Sequence, residues 1–201
     1  MRRIVFSTIL VMVLALAGSG LAQPPQQTGA IRRIITTLDA SAKAVAMVDG
    51  TVALIKSPRT GNSSTNIWVT ETYPPDFAWA TDRGKTRVGF TPPKGGTVFR
   101  IVDFPPVTSD IEKGDVNLMM KVVGEHAPAK GLPPRHPMMH RTRSLDYAII
   151  MSGEIDLLLD DRELHVKAGD VVVQQATNHG WVNRGKEVCR IAFILMDSQE
   201  P

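Results

Sequence analysis

From Tyr147 to Leu195 the chain alternates short apolar runs with short polar ones. Tyr147 to Met151, Glu154 to Leu159, Leu164 to Val166, Asp170 to Val173 and Val188 to Leu195 are apolar throughout or alternate apolar with polar residues. On an extended chain neighbouring side chains point to opposite faces, so each run predicts a short strand. Ser152-Gly153, Asp160-Asp161 and Ala168-Gly169-Asp170 separate the runs. These residues tolerate a positive φ or bond their own backbone, which suits tight hairpins. Strands repeating at about ten-residue spacing predict antiparallel pairing of the jelly-roll kind. The region lacks the long helical period that a bundle or a βαβ series requires.

Upstream, Ile31 to Lys56 reads as two or three β-prone runs with turns at Asp39-Ala40-Ser41 and Asp49-Gly50, the second a strong hairpin signal. Ser57 to Asn66 predicts a loop, Ile67 to Thr72 a strand, and a Pro/Gly-rich stretch continues through Gly96. A further strand over Thr97 to Asp103 stops at Pro105-Pro106. The expected organisation is one folded domain, with N-terminal strands and loops over 31–125 and a barrel core over 126–201. Two segments precede it. Arg2-Arg3, the apolar run Ile4 to Ala17 and Gly20-Leu21-Ala22 have the order of a signal peptide, with cleavage expected after Ala22. An uncleaved anchor is the competing reading, but polar Ser7 and the Gly-Ser-Gly end favour cleavage. No cysteine adjoins the cleavage site, which argues against a lipid-modified lipoprotein. The expected location is secreted or periplasmic, with no stable membrane span after cleavage. Gln23 to Ala30 is too polar to pack and reads as a flexible linker.

Composition narrows the partners. With 43% apolar and 21% charged residues, the chain can bury one substantial core and is not of disordered type. The basic balance of 23 Lys and Arg against 20 Asp and Glu falls to 21 against 20 without Arg2 and Arg3. No dense basic run remains to track phosphates, so nucleic acid is not an expected partner. Cys189 is the single cysteine, which excludes an intramolecular disulfide and predicts a small buried apolar residue.

Two polar clusters interrupt the strand pattern: HRTRSLD at 140–146 and TNHGWVN at 177–183. His140, Thr142 and Asp146 are separated by even numbers of residues and project from one face of an extended chain, while Arg141 and Arg143 point the opposite way, to solvent. This arrangement resembles the two motifs of the cupin family. His140, Thr142, Asp146 and Gly153 fall on the places of a first motif that usually reads His-x-His, then Glu, then Gly. Gly169, Gln174, Ala176, His179 and Asn183 fit a second motif that usually reads Gly, Pro-x-Gly, His, Asn, with one residue fewer after the glycine. IRRIITTLDASAKAVAMVDG, TNIWVTETYPPDFAW and GGTVFRIVDFPP, together with MHRTRSLDYAIIMSGEI, are similar to small single-domain cupins (cupin 2 type) of bacteria and fungal polyketide clusters. Some of those are described as oxidoreductases. Ala42 departs from the pattern, where a turn glycine is expected. The resemblance implies an all-β double-stranded β-helix, the cupin jelly-roll barrel, with extra N-terminal strands.

Such a barrel would bring His179 across from His140 and Asp146, and three chemistries stay open. In the first, His140, Asp146 and His179 hold a divalent transition metal, iron, zinc or manganese, for an oxidoreductase or lyase acting on a small organic molecule. Thr142 stands where a second histidine is usual, and a neutral hydroxyl is a poor ligand, so it is assigned to bond substrate or metal-bound water. His136, between Pro134 and Pro137, is a loop residue that could supply a fourth ligand. In the second, a metal-free pocket of His140, Thr142, Asp146 and His179 binds a small molecule or moves a proton, with His140, Thr142 and His179 as the catalytic set. In the third, the same residues only rigidify the mouth of the barrel. Tyr147 and Trp181 are expected in the core, Asn183 on backbone at a strand end, and Met138-Met139 along the barrel wall. His126 and His165 read as surface histidines. A homodimer through edge strands is expected, with Arg32 to Lys56 extending a neighbour's sheet.

Overall fold

The computed structural model describes residues 29–78 and 80–201. The signal-peptide expectation, nearly all of the linker and Trp79 lie outside these residues.

The alternating runs become strands. A hairpin of β1 (Ala30–Leu38) and β2 (Ala44–Ala53) comes first. β3 (Ile55–Lys56), β4 (Ser63–Thr70) and β5 (Thr97–Phe104) follow, then β6 (Ser144–Ser152), β7 (Glu154–Leu158), β8 (Glu163–Lys167), β9 (Val171–Gln175), β10 (Gly180–Val182) and β11 (Cys189–Asp197). One sheet has the order β3-β4-β5-β11-β6-β9 and a second the order β10-β7-β8, all pairs antiparallel. This all-β architecture agrees with the jelly-roll expectation.

Register decides what the large sheet turns inward. Val98, Arg100, Val102 and Phe104 of β5 pair with Leu195, Phe193, Ile191 and Cys189 of β11. On the far side of β11, Phe193 pairs with Ala148 and Leu195 with Asp146, and Asp146 in turn pairs with Gln174 of β9. The inward apolar members join Ile155, Leu157 and Trp181 from the second sheet in one buried cluster. A fully buried Ile or Leu in such a cluster contributes about 1.5–3 kcal/mol relative to exposure. Two short helices, α1 (Ser109–Glu112) and α2 (Leu118–Val123), lie in the connection after β5. α2 brings Met119 against Met138, Met139, Leu158 and Val182 in a second cluster. Among the described residues no helix is long and apolar enough to cross a membrane.

Several local expectations change. Asp49-Gly50 is not a turn; it lies inside β2 opposite Ile34 and Arg33. The β1–β2 turn is built at Asp39, whose carboxylate accepts from Ser41 N (2.8 Å), Ser41 Oγ (2.7 Å) and Lys43 N (3.0 Å). Three bonds to one carboxylate outweigh a dipeptide preference. Ala42 in this turn has φ +61°, a left-handed conformation in which its Cβ is crowded. Ala42→Gly is therefore expected to stabilise the protein by about 0.5–1 kcal/mol, read as a higher urea midpoint at unchanged slope. β4 starts at Ser63, inside the stretch expected to be a loop, because pairing with Val102 and Asp103 overrides the weak propensity of its serines. Tyr147 is not a core residue. It lies on the outer face with Ile149, Met151, Val171 and Val173, a strip of exposed apolar side chains.

The hairpin is fastened by a buried ion pair. Arg33, 6% exposed, donates to both Asp82 oxygens (2.8 and 2.6 Å) and to Ile67 O (3.1 Å). Gly84 leaves the room this needs, since a Cβ there would stand 1.6 Å from Arg33 Nη1. Gly153, the motif glycine, has φ +74°, and a Cβ on it would meet Val188 O at 2.7 Å.

Candidate functional site

His140 and His179 form an isolated antiparallel bridge beyond the ends of the sheets, each N–H donating to the other's carbonyl at 2.8 Å. Their rings stand 4.5 Å apart. Nδ1 of His140 lies 3.0 Å from Met138 O, and Nδ1 of His179 2.9 Å from Thr177 O. A carbonyl can only accept, so Nδ1 carries the proton in both rings and Nε2 keeps a lone pair for a ligand. Burial holds both imidazoles neutral: it lowers His140 to about 4, and burial together with the neighbouring His140 lowers His179 to about 3. The Phe90 ring packs edge-on against His140 at 4.7 Å.

Asp146 faces the same cavity from the sheet. It is buried, and its Oδ1 has no hydrogen-bond partner in the protein. Burial pushes its carboxyl up to about 6, against a smaller opposing effect of the Ser144 hydroxyl. Gln174, across the ladder from Asp146, is 3% exposed and leaves both amide atoms unpartnered, as Trp181 leaves its indole N–H. Buried polar atoms are nearly always paired, so four unpaired ones around one cavity mark a surface shaped for a polar ligand. The cavity measures about 90 Å³ and is walled by Phe90, Phe104, Phe193, Val102 and Met138. That is room for about three water volumes, or for the reacting end of a small organic molecule whose remainder extends outward.

Of the expected site residues, His140, Thr142, Asp146 and His179 all line this cavity. Thr142 Oγ1 is engaged with Ser144 Oγ at 2.7 Å, so its hydroxyl is shared with the protein. Among the described residues no group of three or more His, Cys, Asp or Glu side chains is placed to hold a metal ion, although His140, Asp146 and His179 line one cavity. The histidines pair outside the strands, whereas Asp146 lies within the β6 ladder. His136 Nδ1 accepts from Met138 N at 3.1 Å, while its Nε2 is buried without a hydrogen-bond partner.

Arg141 and Arg143 turn away from the cavity, toward Leu132 O (2.7 Å) and Glu200 (3.5 Å). Asn183 bonds backbone, and Met138 lines the cavity while Met139 packs beside it. Cys189 is buried, its thiol pushed up to about 12 by burial and by Asp103 and Glu154, which makes it inert. Trp181, expected simply as core, also presents its indole N–H to the cavity. Sequence reasoning missed Phe90, Arg100 and the role of Gln174. Arg100 had a legible signal: it shares the inward parity of Val98, Val102 and Phe104 within one strand.

Acid is expected to destabilise this arrangement. Both histidines are depressed from an ordinary 6.5, so the stability of keeping them neutral is present above that value and lost as pH falls toward 4 and 3. Asp146 acts oppositely, its contribution present below 3.8 and lost as pH rises through about 6. Between pH 7 and 5 each histidine costs about 2 kcal/mol and Asp146 returns about 1. Urea unfolding should show a net loss of about 3 kcal/mol, falling to about 1 kcal/mol in His179→Asn.

Residues 125–195 match the family model described as the cupin domain, in agreement with the all-β jelly-roll architecture. Phomopsin biosynthesis cluster protein D of Diaporthe leptostromiformis is 44% identical over 69 residues, 33% of this chain and 36% of that protein. A cupin-domain-containing oxidoreductase of Neurospora crassa is 32% identical over 111 residues, 53% of this chain and 43% of the relative. The aligned part therefore spans less than half the length of either relative. A Cupin 2 conserved barrel domain protein from Salinispora arenicola superposes with a TM-score of 0.38 at 14% identity, covering 72% of this chain and 81% of that one.

Proposed function

We propose that this protein is a cupin-fold enzyme that moves a proton on a small organic molecule held in the barrel, with Asp146 carrying the proton. The supporting observation is that Asp146, whose Oδ1 is unpartnered, and Gln174, whose amide is unpartnered, face each other across the β6–β9 ladder on the wall of one largely apolar cavity. A carboxyl raised to about 6 exchanges its proton near neutral pH, which suits general acid–base work. Ionised Asp146 takes a proton from an activated C–H, and the bonding pair moves onto the adjoining carbonyl oxygen. Gln174 Nε2 and Trp181 Nε1 supply N–H donors for the oxygen that becomes negative, and Asp146 then returns the proton to another atom. The neutral Nε2 atoms of His140 and His179 accept from hydroxyl groups of the ligand and fix its orientation. Proton abstraction of this kind opens isomerisations and eliminations. Arg2-Arg3 and the apolar run behind them support action outside the cytoplasm.

The test is deuterium exchange at the activated carbon of small carbonyl compounds in D2O, followed by proton NMR with phenylpyruvate and phenylacetone as probes. The protein should accelerate exchange of at least one of them, and Asp146→Asn should remove the acceleration. Exchange no faster than in buffer, for both probes, contradicts the proposal.

A further inference from the structure

Arg100 lines the same cavity, and its charge is unmatched. Nε donates to Asn66 Oδ1 (2.9 Å), Nη2 to Gly89 O (2.8 Å) and Nη1 more distantly to Phe90 O (3.5 Å), all neutral acceptors. The fold treats its other inserted arginines differently: Arg33 is clamped by Asp82 and Arg190 by Asp103, each through two short bonds to one carboxylate. Burial of a guanidinium without a counter-charge is costly, and arginine does not escape by losing its proton. The residues around Arg100 offer no relief. Among the described residues Asp146 is the one carboxylate on the inner cavity, two strands away across Phe193.

Arg100 also stands at a junction. It borders both the inner cavity and an outer depression of about 210 Å³ that carries Arg59 and Thr60 on its wall and no acidic residue. A molecule reaching Asp146 from this side passes two cations and then the aromatic walls of Phe90, Phe104 and Phe193. Gln174 Nε2 and Trp181 Nε1 add two N–H donors with no acceptor in the protein.

We propose that the cavity is built for a small organic anion, an unsaturated or aromatic carboxylate whose charged group is gripped by Arg100 while its body lies against the aromatic walls toward Asp146. The planar guanidinium fork matches a carboxylate, and a partly desolvated pair of this kind discriminates by charge more strongly than an exposed one. This substrate class rests on the cavity being the ligand site proposed above, and the experiment separates the two.

Full-length protein is titrated calorimetrically with benzoate and cinnamate and with their neutral isosteres benzamide and cinnamamide. Each acid should bind at least about tenfold more tightly than its amide. Arg100→Gln should abolish that preference, and Arg100→Lys should keep part of it. Arg59→Gln should weaken acid binding about twofold, an effect that added salt erases. Amides binding as well as acids to the unmodified protein, or a preference surviving in Arg100→Gln, would overturn the anion assignment and leave the ligand site standing. No binding of any of the four overturns both. The comparison within the unmodified protein does not depend on whether a variant folds.

Discussion

Asp146→Asn is expected to make the protein more stable at pH 7 while removing its acceleration of deuterium exchange. The carboxyl is raised from 3.8 to about 6, so at neutral pH the folded state carries an ionised group in a place that disfavours the charge. A shift of that size corresponds to a penalty of about 3 kcal/mol above pH 6. Asparagine has nearly the same shape and no charge, and its amide can face Gln174, so about 1–2 kcal/mol should be regained. The gain must fade as pH falls toward 4, because there the native aspartic acid is neutral in the folded state as well. The loss of catalysis should be about 100-fold or more, since an amide cannot accept the proton. Stability higher at pH 7, equal near pH 4 and activity gone is a pattern that a residue serving only to hold the barrel together would not give. Such a residue would lose stability on substitution at every pH.

The largest structural effect is expected at Asn183. Its side chain is buried and makes three bonds: Nδ2 donates to Phe104 O and Glu187 O, both at 2.8 Å, and Oδ1 accepts from Gly185 N at 2.9 Å. Its own carbonyl accepts from Val107 N at 2.7 Å. The residue therefore ties the end of β5 to the turn that leads from β10 into β11. Asn183→Ala leaves three backbone groups without partners, for a loss of about 3–4 kcal/mol and a fall of about 6–12 °C in Tm. Asn183→Asp keeps the shape but presents an oxygen to two carbonyls, so it should be nearly as damaging at neutral pH. An aspartate tolerated without loss of Tm would show that shape, rather than donation to Phe104 and Glu187, matters at this position.

What could be foreseen from the sequence divides along physical lines. The strands from Tyr147 onward were legible because their alternation and turn residues agree, and Gly153 works as its motif place implies. The polar start of β4 over 63–66 was not, since its serines become strand only through pairing with β5. The turn expected at Asp39-Ala40-Ser41 is the β1–β2 turn, but the second expected turn at Asp49-Gly50, a good local signal, is overridden by pairing with β1. At the site, even spacing correctly put His140, Thr142 and Asp146 on one cavity. It could not show that Nδ1 of each histidine is tied to a carbonyl, or that Asp146 sits opposite Gln174. Those depend on register across β6, β9 and the His140–His179 bridge, and register is a property of paired strands. Arg100 was visible by parity, but its importance comes from the carboxylate it lacks, which only the folded arrangement discloses.

The central claim is that the buried Asp146 carboxyl carries a proton in the neutral range. The direct measurement is a carbon-13 NMR titration of aspartate carboxyl groups, with the Asp146 resonance identified by its loss in Asp146→Asn. The account predicts a midpoint near 6. A midpoint in the ordinary range at or below about 4 would contradict it, leaving the cavity without its proton carrier.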